Sequence, residues 1–505
     1  MAALATAGLV LGPPAPKVRA QAAEPRAGLD LAQAIQTTIV ASPEIRLAEQ
    51  EAEASRGDLV AASEPFDVRM TSEGAAMRAH SVAPGTQQDT IQSDLSYSLG
   101  AERLFRNGVN VRSALVLTRR GYAAVPGSDT ANHVDVGAAL TLPLLQDRGG
   151  ALSVAGERVA GYAYGASRFE LQHAIALRVL SAAVAYWDYL AAQRRLEVYA
   201  SSEARAERTV EETRVLVEAD ERTAADLVQL RGNLASKRVS RIAAEQGVVE
   251  ARQQLGLAMG VPAESVTELP PPATDFPVLA ADPAAPVDMR ALLEAAYARR
   301  ADLAAAEQDV RSAQAAVDAS RSELKPRLDI VVETGYRAAE TGLGFRNFFA
   351  PIYREQPRLD GSLKLSAQLP GANTGARGRL LRSTSAHEQQ RIRQQDLRRR
   401  VAAGVAVAVE ALVRGEAGMR ESDEAVRLFQ SGVDAEQRKF QVGMSTLFDM
   451  IQAQDALTGA LLGRIQSQRN YAVAVATLSF QSGRLVDGEP GRPIVAQERL
   501  LTPLR

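Results

Sequence analysis

Few side chains in this chain of 505 residues could do chemistry, and their spacing assembles no reacting centre. Four histidines, His80, His133, His173 and His387, lack the helical spacing that puts two imidazoles on one face, so no histidine metal site is expected. Cysteine is absent, which excludes a disulfide framework, a thiolate metal site and lipid attachment through an N-terminal cysteine. The stretch Gly371-Ala372-Asn373-Thr374-Gly375-Ala376-Arg377-Gly378 is rich in glycine but lacks the Lys-Ser/Thr ending of a phosphate loop, and it reads as a strand-to-helix turn. No nucleophile elbow or paired-carboxylate motif stands out, so neither catalysis nor a cofactor is expected. What remains is a small set of carboxylates, Asp220, Asp226 and Asp449. The last two favour the first turn of a helix through its dipole, and Ser445 or Thr446 could cap the second of these helices.

The composition fits elements that position surfaces rather than a catalytic pocket. Net charge is −2 with a pI near 6.2, so no basic stripe points to nucleic acid. Aromatics make up only 5% with a single tryptophan, Trp187, a balance that favours long helices packed through small residues. After the N-terminus no run of 18 apolar residues occurs, so a membrane-spanning helix is not expected. Residues 1–22 carry an apolar stretch from Ala2 to Leu11 and end in Ala20-Gln21-Ala22, a small-residue cleavage site. They read as a signal peptide with a wrongly chosen start, the alternative being an Ala/Pro-rich leader without structure.

The chain repeats itself. Adding 258 carries Leu29-Asp30-Leu31 onto Val287-Asp288-Met289 and Glu44-Ile45 onto Asp302-Leu303. Further on the shift is 223, carrying Thr223, Asp226, Gln229, Arg241 and Gly260 onto the identical Thr446, Asp449, Gln452, Arg464 and Gly483. The first copy therefore holds about 35 additional residues before its long helix. The expected units are residues 29–265 and 287–486, joined by a Pro-rich linker at 266–286 and followed by a tail at 487–505.

Within each unit a helix (from Leu31 to about Glu64 in the first) meets a proline, and period-two alternation follows. Phe66, Val68 and Met70 alternate with polar neighbours after Pro65, and Leu328, Ile330 and Val332 do so after Pro326. More alternation runs through 95–100, 109–115, 134–142 and 359–369, with Arg106-Asn107-Gly108 as a turn. Such strands suit either an ordinary half-buried sheet or a membrane barrel. After Pro143 and Pro370 helical sequence resumes. Val405, Leu412, Met419, Val426, Val433 and Phe440 recur every seven residues, and Leu177, Leu180, Val184, Trp187, Ala191 and Val198 keep coiled-coil spacing.

This succession resembles the TolC-type outer membrane efflux and secretion factors over nearly the whole chain. The similarity is carried by Leu29–Ile35 with Ser42-Pro43-Glu44-Ile45, by Leu140-Thr141-Leu142-Pro143-Leu144-Leu145, and by Arg438-Lys439-Phe440-Gln441-Val442-Gly443 with Asp449–Ala453. The resemblance implies a mainly α protein with membrane β-structure: long coiled-coil helices forming a periplasmic tunnel, and strands contributed to a trimeric outer-membrane β-barrel. It implies a passive conduit in a tripartite efflux or type I secretion system, a homotrimer with a periplasmic adaptor and an inner-membrane pump as partners and lipid around the barrel. It also makes Asp220, Asp226, Gly443 and Asp449 candidates for adaptor docking or gating at the periplasmic tip, either as carboxylate rings in a trimer or as plain helix-terminus acids. Pro65, Pro143, Pro326 and Pro370 would mark the helix–strand junctions. Asp220 stands where the second copy has Gly443, so the first tip turn is expected to be less sharp or shaped differently. The additional residues either enlarge the barrel or form an extracellular flap. The rival readings are a periplasmic coiled-coil adaptor and a structural coiled-coil protein.

Overall fold

In the computed structural model, residues 28–82, 89–123, 130–279, 288–342, 345–352, 358–442, 444–488, 494–495 and 497–502 are described; the leader and linker residues 280–287 lie outside them. In chain order the first half comprises α1 (Leu31–Ala41), α2 (Pro43–Ala62), β1 (Arg69–Val82), β2 (Asp89–Leu104), β3 (Asn110–Ala123), β4 (Ala131–Pro143), α3 (Ala155–Glu218), α4 (Ala224–Met259) and a single turn, α5 (Ala263–Val266). The second comprises α6 (Met289–Arg299), α7 (Ala301–Glu323), β5 (Arg327–Thr341), a short α8 (Phe345–Phe349), β6 (Arg358–Gln368), α9 (Thr374–Gln441) and α10 (Leu447–Gln481), then the small pair β7 (Val486–Asp487) and β8 (Ile494–Val495).

The single helix expected from Leu31 to Glu64 is broken at Ser42. Pro43 supplies the first position of α2, and a residue before proline is pushed out of the helical region, so Ser42 sits at ψ 122°. The same break recurs 258 residues on, at Arg300, also with ψ 122°. In both copies the break residue binds the acid two positions later. The Ser42 hydroxyl donates to Glu44 (2.9 Å), and the Arg300 guanidinium donates to both oxygens of Asp302 (2.7 and 3.0 Å).

Each break receives the end of its own return helix. α4 and α10 close through Gly260 (φ 73°) and Gly483 (φ 69°), with N–H groups reaching back to Leu257 and Gly256, and to Phe480 and Ser479. A Cβ on Gly260 would lie 2.7 Å from the Ser42 Cα, and one on Gly483 would lie 3.0 Å from the Arg300 nitrogen. Glycine is thus required twice over at both places, by conformation and by space.

The heptad positions of α9 pack as read: Val405, Leu412, Met419 and Val433 are buried, and Val426 and Phe440 are half-buried. They face α10, whose Met450, Leu457, Tyr471 and Leu478 are buried. Arginine interrupts each return-helix series and pairs with the antiparallel neighbour: Arg241 with Glu203 of α3 at 2.5 Å, Arg464 with Asp423 of α9 at 2.7 Å. The α3 series needs correction, because Leu177 is exposed while Leu171, Ile175, Val179, Ala183, Tyr186, Trp187 and Leu190 are buried. α3 touches α2, α4, α7 and α10, so its buried face is wider than one heptad seam. There Trp187 is fully buried beside Tyr186 and Phe276. The Tyr186 hydroxyl donates to the Leu29 carbonyl and accepts from the Thr274 N–H, each at 2.8 Å, tying the start of the first half to the linker.

Among the described residues one six-stranded antiparallel sheet runs in the order β1-β2-β3-β4-β5-β6. β1 begins at Arg69 rather than at Phe66, which lies in a 3-10 turn (Glu64–Phe66) and is buried. Pro65 lies in that turn, Pro143 ends β4, Pro326 precedes β5 and Pro370 follows β6 by two residues. The 35-residue excess of the first copy is accounted for: residues 89–123 form the β2–β3 hairpin, inserted in the plane of the sheet. The flap alternative does not hold, because the Arg106-Asn107-Gly108 turn lies at the helical end. Arg106 stacks on Phe66 (4.7 Å to the centroid) and its guanidinium donates to Glu157 at the start of α3 (2.7 and 2.9 Å). Asp147, in left-handed conformation, accepts from the N–H groups of Leu152 (2.6 Å) and Ser153 (2.8 Å) and holds the loop beneath that turn.

The tightest contact is at Gly150 (φ 78°), where a Cβ would lie 1.8 Å from the Arg106 carbonyl oxygen; Gly149 (φ 74°) has open space around it. Gly149→Ala should cost about 1–2 kcal/mol from backbone strain alone. Gly150→Ala should cost about 3 kcal/mol or more, because the turn must also move. Denaturant unfolding of both variants in one detergent checks the difference; equal losses would show that the turn does not rest on Gly150.

Candidate functional site

Two surfaces are candidates for function, the sheet wall and the helical tip. In the wall, alternation puts one class of side chain on each face. Tyr97, Leu117, Val134 and Ala338 lie side by side on one face; Ser98, Val116, Asp135 and Arg337 lie side by side on the other. The apolar face continues through Leu95, Leu99, Leu115, Val136, Leu140, Ile330 and Val332 and reaches Leu363 and Leu365, which are 76% and 67% exposed. Near its distal end α8 lies against this face, with Phe348 buried on Leu117 and Val134 and the Arg119 guanidinium over the Phe348 ring.

The polar face bounds an open hollow of about 730 Å³ lined by Arg112, Asp135, Glu333, Arg337, Asp360 and Lys364 among others. Its charges pair across strands: Glu102 with Arg112 (3.3 Å), Asp94 with Arg120 (3.6 Å), Asp135 with Arg337 (2.7 Å) and Glu333 with Lys364 (2.6 Å). Side chains are thus apolar on one side of a single layer of strands and ionic on the other, the requirement for a wall between lipid and water.

At the far end of the helices, two hairpin tips lie together. α3 ends at Glu218 with Ala219 as its C-cap, and Asp220 takes φ 55°, the left-handed turn for which glycine is the usual residue and Asp an enriched substitute. The Glu221 N–H reaches back to Leu216 (2.9 Å), and the Met444 N–H makes the equivalent bond to Lys439 (2.9 Å), so the first tip is not the blunter one. Gly443 lies outside the described residues. The following helices are capped alike: Thr223 accepts from the Asp226 N–H (3.3 Å) and Thr446 from the Asp449 N–H (3.2 Å). Asp449 returns the bond, accepting from the Thr446 N–H (3.1 Å) and hydroxyl (2.6 Å). The hydroxyl and then the backbone N–H of Thr446 hold the Asp449 carboxyl below the usual range.

Leu230, Leu447 and Met450 form a small buried cluster with Phe440, and the Arg222 guanidinium lies over the Phe440 ring, so one tip is braced on the other. Around this brace Val442, Met444 and Phe448 are 70%, 80% and 61% exposed. The heptad pattern did not single these out, because they fall off its seam.

Replacing Thr446 by Ala should cost about 1 kcal/mol of local stability at α10. A carboxyl depressed in the folded state stabilises above its unfolded value and stops doing so as pH falls through the folded one. Amides 447–451 should therefore exchange faster, after correction for intrinsic rates, as pH drops below the ordinary aspartate range. Thr446→Ala should flatten that response; an unchanged profile would show that the Asp449 bond contributes nothing.

Residues 292–484 match the family described as outer membrane efflux protein. No curated protein matches the chain. Among solved structures, it is similar to the CmeC outer membrane channel of Campylobacter jejuni (TM-score 0.66, 11% identity, 90% of this chain and 85% of that one). It is similar as well to the outer membrane protein VceC of Vibrio cholerae (0.64, 14%, 90% and 96%) and to the open state of the MtrE outer membrane channel of Neisseria gonorrhoeae (0.63, 15%, 90% and 88%). These likenesses establish the fold, a sheet continued by long paired helices, and the match over 292–484 carries the relationship into the sequence. The chain thus has the fold of outer membrane channels, and over residues 292–484 its sequence matches the outer membrane efflux protein family.

Proposed function

We propose that the protein is a passive conduit, a homotrimer whose pooled strands form a barrel in the outer membrane and whose helices form the tunnel beneath it. The observation that carries this reading is the two-faced sheet whose outer strands, β1 and β6, each have one partner among the described residues. Lipid cannot satisfy an open strand edge, so a sheet of this kind closes only with other copies. At 1.5 Å per residue, the 64 residues of α3 and 68 of α9 extend ~96 and ~102 Å, far beyond a bilayer. The units 29–265 and 287–486 then stand as two quasi-equivalent repeats around the tunnel. The reading assigns no catalytic step to the chain.

Export through such a conduit draws its energy from an inner-membrane pump of a tripartite efflux or type I secretion system, coupled by a periplasmic adaptor. We place adaptor docking at the tip, over Val217–Asp226 and Phe440–Asp449, with Val442, Met444 and Phe448 as the apolar contacts and Gly443 kept as a candidate from the sequence. In a trimer Asp220, Asp226 and Asp449 each occur three times, and they supply rings of negative charge at the aperture. The helix-capping role of Asp449 is compatible with this, since its carboxylate is exposed.

Membrane fractionation followed by mild SDS electrophoresis should give an outer-membrane trimer; a soluble monomer would sink the reading. Val442→Ser, Met444→Ser and Phe448→Ser together should leave the trimer intact and reduce export by an order of magnitude or more. Asp226→Ala with Asp449→Ala should weaken cation preference in planar bilayers; unchanged conductance and selectivity would remove the ring.

A further inference from the structure

We propose that the inserted β2–β3 hairpin widens the barrel, so that three copies close a wall of eighteen strands around a broad lumen with little net charge. This rests on the trimeric reading above and adds the bore and the nature of its wall. The hairpin is built into the wall. β2 pairs with β1 and β3 with β4 in continuous register from end to end, and the apolar and polar faces run through the insertion without changing sides. A β2–β3 pair lying outside the wall would need Leu95, Tyr97, Leu99, Leu115 and Leu117 to leave that face. It is also fixed at its base, where Arg106 joins Phe66 and Glu157 and the Arg106 carbonyl sits on Gly150.

Topology favours closure between copies. β1 runs away from the helices and β6 returns toward them, so β6 of one copy meets β1 of the next antiparallel, like every other pair in the sheet. The edges are 14 and 11 residues long, and each is long enough to cross the hydrocarbon layer as a tilted strand. With strands ~4.8 Å apart and tilted about 40°, eighteen strands give a cylinder ~36 Å across between backbones, whereas twelve would give ~24 Å. Barrels of 16–18 strands leave an aqueous channel rather than a filled interior. The cross-strand ion pairs on the polar face cancel locally, so such a lumen sorts cargo weakly by charge and chiefly by size.

Electron cryomicroscopy of the full chain in nanodiscs counts copies and strands directly. Three copies with eighteen strands is the expected result. Three copies with twelve strands would overturn this inference and leave the conduit reading standing, while the absence of a closed three-copy assembly would overturn both. The chain has no cysteine, so Ser98→Cys and Leu99→Cys report the two faces of β2 separately. A membrane-impermeant maleimide should label Ser98→Cys at least tenfold faster than Leu99→Cys; equal rates would place β2 outside the wall. Deleting residues 89–123 joins β1 to β4 through the existing loops and should give a trimer of twelve strands and ~24 Å. If that variant does not fold, the cysteine pair decides.

Discussion

A peptide group at an open sheet edge needs a partner, and this constraint organises the molecule. The sheet is one layer thick, two-faced and open at both edges, which in water would invite aggregation and in a bilayer demands neighbours. Each strand end at the helical side must then pass into a helix without leaving polar backbone unmatched. The junction turns at Phe66, Asp147 and Asn373 accomplish this over a few residues. The same demand explains why the first-half insertion is a whole hairpin. An odd number of extra strands would leave the chain at the wrong end of the sheet for its next helix, whereas two strands return it to its base.

Below the sheet the energetics change from hydrogen-bond closure to side-chain burial. α9 and α10 bury a heptad seam of medium-sized residues, and α3 buries a broader face that includes Trp187. Both return helices interrupt their seam with an arginine that pairs with the opposing helix, Arg241 with Glu203 and Arg464 with Asp423. Arg464 is 43% exposed and its pair adds little stability; at one heptad step it fixes the register of two otherwise repetitive surfaces.

What could be read from the sequence follows from which forces are local. Alternation in the strands and seven-residue spacing in α9 are periodic, and they announce themselves wherever one face is buried. The break at Ser42 escaped that reading because helix-compatible sequence lies on both sides, although Pro43 was a local signal for it. Its twin at Arg300 has no proline, and only the approach of Gly483 and the Asp302 pair reveal it. The placement of the β2–β3 hairpin was undecidable locally, since it depends on contacts such as Arg106 with Glu157, 51 residues apart. At the tip, the sequence pointed to a cap at Ser445 or Thr446, and the structure makes it Thr446; the exposure of Val442, Met444 and Phe448 depends on how two hairpins lean together.

The paired contacts of Gly260 on Ser42 and of Gly483 on Arg300 have a mechanical side. They set each return helix close against the opening helices of its own repeat, and the hairpin extends from there to the tip. Each hairpin is therefore a lever with its fulcrum at a glycine. The 36 residues of α4 make an arm of ~54 Å, so a swing of about 10° at the fulcrum carries the tip through ~9 Å. A small rotation at such a contact would thus become a larger displacement at the other end, with no helix needing to bend.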